Sequence, residues 1–134
     1  MSVPKPDSDM MAVAERLARF MEGGANGRPD AIFADHGVTI VENFPPYLFT
    51  GPDAVAAWCS RIQPHLEPLA DLRHSFDEVH DFSRSGDEAY FSLRTSWSGS
   101  NAGKPFRETG GWAFVLTRRS GEWRVLGYGW AVVG

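Results

Sequence analysis

The sequence predicts an α+β domain in which short helices come first and a curved, mostly antiparallel sheet follows. Three observations carry that reading. In the first half, apolar residues recur at three- and four-residue steps within short segments closed by glycine or proline. From Leu72 the period switches to two. In the last quarter, Gly103 to Gly134, the runs Phe106 to Thr117 and Trp123 to Val133 are rich in Trp, Phe, Val and Tyr. Joined by Arg118-Arg119-Ser120-Gly121-Glu122, they read as a long hairpin at the sheet centre. Both runs are apolar at nearly every position, which predicts cover on both faces, one by the chain's own helices and one by another surface such as a partner subunit.

In chain order, Met1 to Asp7 is short, polar and proline-containing, and reads as a loose tail before a single domain over residues 8–134. Met10, Val13, Leu17, Phe20 and Met21 make the buried stripe of a first helix, which Gly23-Gly24 ends. Pro29 suits the first turn of a second, short helix, with Ile32-Phe33 as its apolar contact and Gly37 as its limit. Val38 to Val41 is β-branched throughout and reads as a strand; Pro45-Pro46 then forbid further central pairing.

Thr50-Gly51-Pro52-Asp53 marks a third helix start, with Thr50 accepting from free amides and Asp53 at the positive end of the dipole. Val55, Trp58, Cys59 and Ile62 form its stripe, and Pro64 and Pro68 bracket the exit loop. Leu72, His74, Phe76, Glu78, His80 and Phe82 share the inner face of the next strand. Ser83 to Asp87 turns the chain, Ala89, Phe91, Leu93, Thr95 and Trp97 line the strand after it, and Ser98 to Lys104 is the loop into the final hairpin. Three helices over one face of a curved sheet leave a conical cavity.

Composition narrows the function. At 134 residues, with 43% apolar residues, the chain buries a real core without staples. Thirteen basic against 17 acidic residues give a net charge of −4 without a basic stripe, which argues against nucleic acid. Cys59 is alone, so neither an internal disulfide nor a thiolate metal site can be built, and a reducing, cytoplasmic setting is compatible. Neither a signal-peptide apolar region nor a membrane-spanning run is expected.

The run Ala31-Ile32-Phe33-Ala34-Asp35, the strand Val38 to Asn43, the Thr50-Gly51-Pro52-Asp53-Ala54-Val55 helix start and the closing Gly121-Glu122-Trp123-Arg124-Val125 resemble the nuclear transport factor two-like superfamily. That group includes ketosteroid isomerases, scytalone dehydratases and SnoaL-like cyclases. The resemblance covers about residues 8 to 133 and implies a cone-shaped fold with an apolar pocket and frequent homodimers packed sheet to sheet. It does not imply a reaction. Val41-Glu42-Asn43 resembles the Val-Glu-Asp of the isomerases, so Asn43 holds the place of their catalytic aspartate, and a neutral amide cannot take the proton. Leu17-Ala18-Arg19-Phe20 resembles the segment carrying their oxyanion tyrosine, and Phe20 has no hydroxyl. Glu108 is the carboxylate found where their second oxyanion donor stands, and Tyr128-Gly129-Trp130 resembles their pocket wall.

Among the remaining polar groups, His74 and Glu78 are candidates for proton handling, because a half-buried imidazole–carboxylate pair can hold a pKa near neutrality. The plainer reading is histidines hydrogen-bonded at a core edge. A metal needs ligands converging at about 2 Å, which one straight strand does not supply, so no metal site is assigned. Glu108 is either an exposed strand residue or a buried neutral acid. Asn43 reads as a turn residue or a pocket hydrogen-bonding group. Phe20, Trp58, Phe76, Trp97, Trp112 and Trp130 read as core or ligand cage, and a domain of this length rarely devotes five Trp to core alone. Tyr47 and Phe49 close the cavity mouth or pack the loop. Tyr90, Ser92, Arg94 and Ser96 lie on an outer face, either solvated or meeting a two-fold copy.

Three functions follow: a cofactor-free isomerase, dehydratase or cyclase acting on an apolar, oxygenated small molecule; a non-catalytic binder of such a molecule; and a homodimeric assembly module whose pocket is filled by its own side chains. The first two predict a pocket wall containing Asn43, Phe76, Trp112 and Trp130.

Overall fold

A computed structural model describes residues 4–134; the first three residues of the expected tail lie outside it. Helix α1 (Ser8–Glu22) starts where Asp7 accepts a hydrogen bond of 2.9 Å from the Met10 amide. It buries Met10, Val13, Ala14, Leu17, Ala18 and Phe20 and ends at Gly23. Strand β1 (Thr39–Val41), strand β2 (Leu48–Phe49) and helix α2 (Ala54–Leu66) follow, then four long strands: β3 (Leu69–Ser85), β4 (Glu88–Asn101), β5 (Lys104–Arg119) and β6 (Glu122–Val132). They form one open six-stranded sheet in the order β2-β1-β6-β5-β4-β3, mixed because β1 runs parallel to β6. The β5–β6 hairpin thus lies inside the sheet.

Among the described residues there are two α-helices instead of the expected three. Pro29–Ala31 makes a single 3-10 turn, because the chain beyond it is taken into the sheet: Val125 donates to the Ile32 carbonyl at 2.8 Å and Ala34 donates to the Val125 carbonyl at 2.9 Å. At the start of α2 no side chain caps the helix, so Thr50 does not have its expected role. The turn is made by the Gly51 carbonyl, which accepts from the Ala54 amide at 3.2 Å. Pro64 lies within the last turn of α2 instead of in the exit loop, where its missing N–H costs only one terminal bond.

The segment after β1 returns as β2, an edge strand paired Ile40 with Phe49 and Val41 with Leu48. Pro45-Pro46, with a cis bond between them, sit in the loop, where no ladder hydrogen bond is needed. The expected loop over Ser98 to Lys104 is instead continuous strand. Ser98 pairs with Arg107 and Asn101 with Lys104 across a two-residue turn at Ala102-Gly103, both at positive φ. Gly99 serves a close approach, since a Cβ there would meet the Ala70 carbonyl oxygen at 2.8 Å.

On β3 the strict alternation fails. Its pairing with β4 slips between Ala70 and Arg73, Phe76 and Val79, and His80 and Ser83, each slip a bulge that adds a residue to the edge strand. After Phe76 the inward positions become Val79 and Phe82, which turns Glu78 and His80 outward. The core lies between the helices and the inner sheet face, where Trp58, Phe91, Leu93, Trp112, Phe114 and Leu116 are fully buried.

Candidate functional site

A pocket of about 380 Å³ opens between α2, the end of β1, and the ends of β4, β5 and β6. The period-two pattern of β1 sets its polar floor. Val38, Ile40, Glu42 and Phe44 are all buried, so a carboxyl stands on the face that otherwise holds aliphatic and aromatic side chains. Glu42 Oε2 accepts a hydrogen bond of 2.9 Å from Trp58 Nε1 and a short one from the Tyr128 hydroxyl. Both donors use Oε2, and no described residue donates to Oε1.

Burial pushes the Glu42 carboxyl up, Tyr128 and Trp58 pull part of that back, and the charge of Glu108 adds to the rise; the net displacement is above the ordinary 4.5. Burial, then the neighbouring Glu42 charge, holds the Tyr128 hydroxyl well above its ordinary value. Tyr128 is therefore a fixed donor at neutral pH, and Glu42 is the group that titrates. Glu108 faces the same pocket from β5, its Oε1 accepting from Trp130 Nε1 at 3.1 Å. Gly110 makes room for that arrangement: a Cβ there would lie 2.6 Å from the Trp130 ring.

The apolar wall is built mainly of aromatic rings. The Trp112 ring stands nearly perpendicular to those of Trp130 (6.1 Å, 84°) and Tyr128 (5.7 Å, 84°), with Trp97 at 5.9 Å. Leu69, Leu72 and Phe106 continue it. At the mouth, Asn43, His65 and Asn101 are exposed, and the His65 ring packs on Phe44 at 4.4 Å. Trp112 Nε1 is buried with no hydrogen-bond partner among the described residues.

Of the residues singled out in the sequence, Asn43, Trp97, Glu108, Trp112 and Trp130 line this pocket. Trp58 is fully buried behind Glu42 and Phe20 stacks on Trp58 at 6.1 Å, so both support the wall from behind. Phe76 is not in the wall; its ring lies beyond Trp112 at 6.5 Å, next to His74 at 4.8 Å. Tyr47 projects from the β1–β2 loop and is 57% exposed, away from the mouth, while Phe49 is buried in the core.

His74 does not reach the pocket. Its Nδ1 is 2.7 Å from Glu22 and its Nε2 is 3.0 Å from Glu15, both on α1, so the imidazole ties that helix to β3. Burial alone would lower its pKa, but the hydrogen bonds and charges of the two glutamates outweigh burial and hold it above 6.5. Glu78 is exposed and pairs with His80 at 3.4 Å on the outside of the edge strand. Among the described residues no group of three His, Cys, Asp or Glu side chains is placed to hold a metal ion.

Sequence reasoning missed Glu42 and His65 as pocket residues, whereas Tyr128, in the segment that resembles the isomerase pocket wall, does line the pocket. Glu42 was available from the alternation of Val38, Ile40 and Phe44 around it, whereas His65 reaches the mouth only because α2 continues through Pro64.

No protein-family model and no curated protein matches this sequence. Solved structures do. Aln2 from a Streptomyces species superposes over 98% of this chain and 94% of its own, with a TM-score of 0.74 at 20% identity. A nuclear transport factor two-like superfamily protein from Salmonella enterica serovar Typhimurium covers 93% of this chain and 89% of its own, with a TM-score of 0.75 at 11% identity. The hexachlorocyclohexane dehydrochlorinase LinA-type3 from Novosphingobium barchaimii covers 95% and 86%, with a TM-score of 0.75 at 12% identity. The chain has the nuclear transport factor two-like fold, as the resemblance implied. No helix is long and apolar enough to cross a membrane among the described residues.

Proposed function

We propose that the pocket binds an apolar, oxygenated small molecule and that Glu42 exchanges a proton with it in cofactor-free chemistry of the isomerase, dehydratase or cyclase kind. The observation that carries this reading is a buried carboxyl whose Oε2 is held by two protein donors while no described residue donates to its Oε1. A raised pKa makes such a group a better proton donor to a ligand oxygen than an ordinary carboxyl, and an acceptor once that proton has left. The apolar wall supplies the affinity, and exclusion of water strengthens the single polar contact. One protein of this fold is a hexachlorocyclohexane dehydrochlorinase, which is in keeping with chemistry on an apolar small molecule. The open pocket volume weighs against a module filled by its own side chains.

We also propose a homodimer through the outer sheet face and a cytoplasmic location. Val41 and Val115 stand exposed there beside Gly111, Ala113, Gly127 and Gly129, a flat surface suited to a second sheet.

Calorimetric titration with apolar alcohols and ketones across pH tests the pocket reading. Binding should weaken as pH rises through the Glu42 pKa, and Glu42→Gln, which keeps a donor but cannot titrate, should bind with the pH step removed. Binding that is unaffected by pH and by the substitution would refute a role for Glu42, and no binding at all would refute the pocket.

A further inference from the structure

We infer that the molecule this pocket takes carries a protonated amine, seated beside Glu108 among the rings of Trp97, Trp112 and Trp130. This rests on the pocket being a ligand site and goes beyond that by assigning the ligand's charge. Two observations carry it.

The first is the charge of the lining. Among the described residues it contains two carboxyl groups, Glu42 and Glu108, and neither Lys nor Arg; the one basic side chain among them, His65, is at the exposed mouth and packs on Phe44. An anionic ligand entering the floor would lose its hydration without gaining a counter-ion. The two carboxyls do not share one role. Glu42 is buried under two donors, whereas Glu108 has a single protein donor, Trp130 Nε1 at 3.1 Å, and is only half-buried. Glu108 is thus the carboxylate available to a cation, and Glu42 the acid available to an oxygen.

The second is the arrangement of the rings. Trp112 stands at 84° to both Trp130 and Tyr128 and at 59° to Trp97, with centroids 5.7 to 6.1 Å apart. Trp112 is itself buried by these edge-to-face contacts, so the indole surface open to an ammonium beside Glu108 is chiefly that of Trp130, the least buried of the three. Electron-rich rings beside a carboxylate favour a cation over a neutral group of the same shape; apolar surface alone would not discriminate between them. The ligand class is an apolar amine that also carries an oxygen function for Glu42.

The test is calorimetry at neutral pH on the full chain with three ligands that share one naphthyl group: the methylamine, the methanol and the carboxylate. The amine should bind about tenfold more tightly than the alcohol, and the carboxylate most weakly. Glu108→Gln keeps an acceptor for Trp130 and removes the charge. It should reduce the preference for the amine to about twofold or less, the amine losing more affinity than the alcohol, with an unaltered thermal melt showing that the fold is kept. Equal affinity for amine and alcohol in the unsubstituted protein, or a preference that survives Glu108→Gln, would overturn the cation assignment and leave the pocket reading standing. If none of the three binds, both readings are refuted.

Discussion

At the scale of single residues, Glu42 and His74 are the two titrating groups with the most to say about pH. Glu42 and Tyr128 are tied to one another, and because the Tyr128 hydrogen bond holds the Glu42 pKa down against burial, Tyr128→Phe should raise it further. An upward shift in the pH midpoint of ligand binding would register this; a downward shift or none would show that Tyr128 does not act on Glu42. His74 acts on stability. Its folded pKa is raised, so its contribution is full below the unfolded value of 6.5 and is lost as pH rises through the folded value. For Glu15, burial works upward but His74 and Arg19 outweigh it, so its folded pKa is lowered and its contribution is lost only in acid. The clamp should therefore stabilise most between about pH 5 and 6.5, and denaturant midpoints measured from pH 5 to 8 should fall on the alkaline side. Glu22→Gln should remove about 2 kcal/mol at pH 6 and much less at pH 8, since a charged hydrogen bond is the one lost. An equal loss at both pH values would contradict an ionised His74.

Among elements, β5 and β6 carry the wall and a glycine controls it. Gly110 lies under the Trp130 indole, and Gly110→Ala should force the ring away from its bond to Glu108, at a stability loss of about 2 kcal/mol. Indole fluorescence should shift with the loss, and an unchanged spectrum with full stability would show that the ring has slack. The same elements explain what could be read beforehand. The helices and the central hairpin follow from apolar periodicity, which depends on local side chains alone. The bulges of β3 do not: two of them coincide with Asp71 and Asp81 at positive φ, a conformation that aspartate tolerates without requiring it, and the one between Phe76 and Val79 contains no residue at positive φ. The bulge between Phe76 and Val79 is why Glu78 faces solvent and why the strand face drawn from strict alternation ends at Phe76. The missing third helix is a tertiary matter too: Ile32 and Ala34 bond to Val125, far along the chain, and a local pattern holds no trace of that pairing.

For the whole molecule, the order of elements along the chain makes the site. Two helices cover one face of an open sheet, and the pocket forms where α2 and the β1 end stand off from the long strands. Asn43, Trp97, Glu108, Trp112 and Trp130 meet there because they lie on or beside strands whose alternation is regular, whereas His74, Phe76 and Glu78 belong to the bulged edge strand and are carried away from it. The aromatic wall was legible from composition. The acid at its floor was overlooked beside Asn43, to which the family resemblance directed attention. On the opposite face, the exposed valines around small residues predict a dimer. Sedimentation should give twice the chain mass of 14.8 kDa, and Val115→Arg should halve it without loss of helix signal. A monomer in the unsubstituted protein would refute the sheet-to-sheet arrangement.

A pocket floor that holds its proton unusually tightly is the feature on which the proposed chemistry depends, and carbon-detected NMR titration of the Glu42 carboxyl measures it most directly. The expected midpoint lies above 4.5 in the free protein and moves when an apolar alcohol is added. A midpoint at or below 4.5 that no ligand moves would contradict that chemistry.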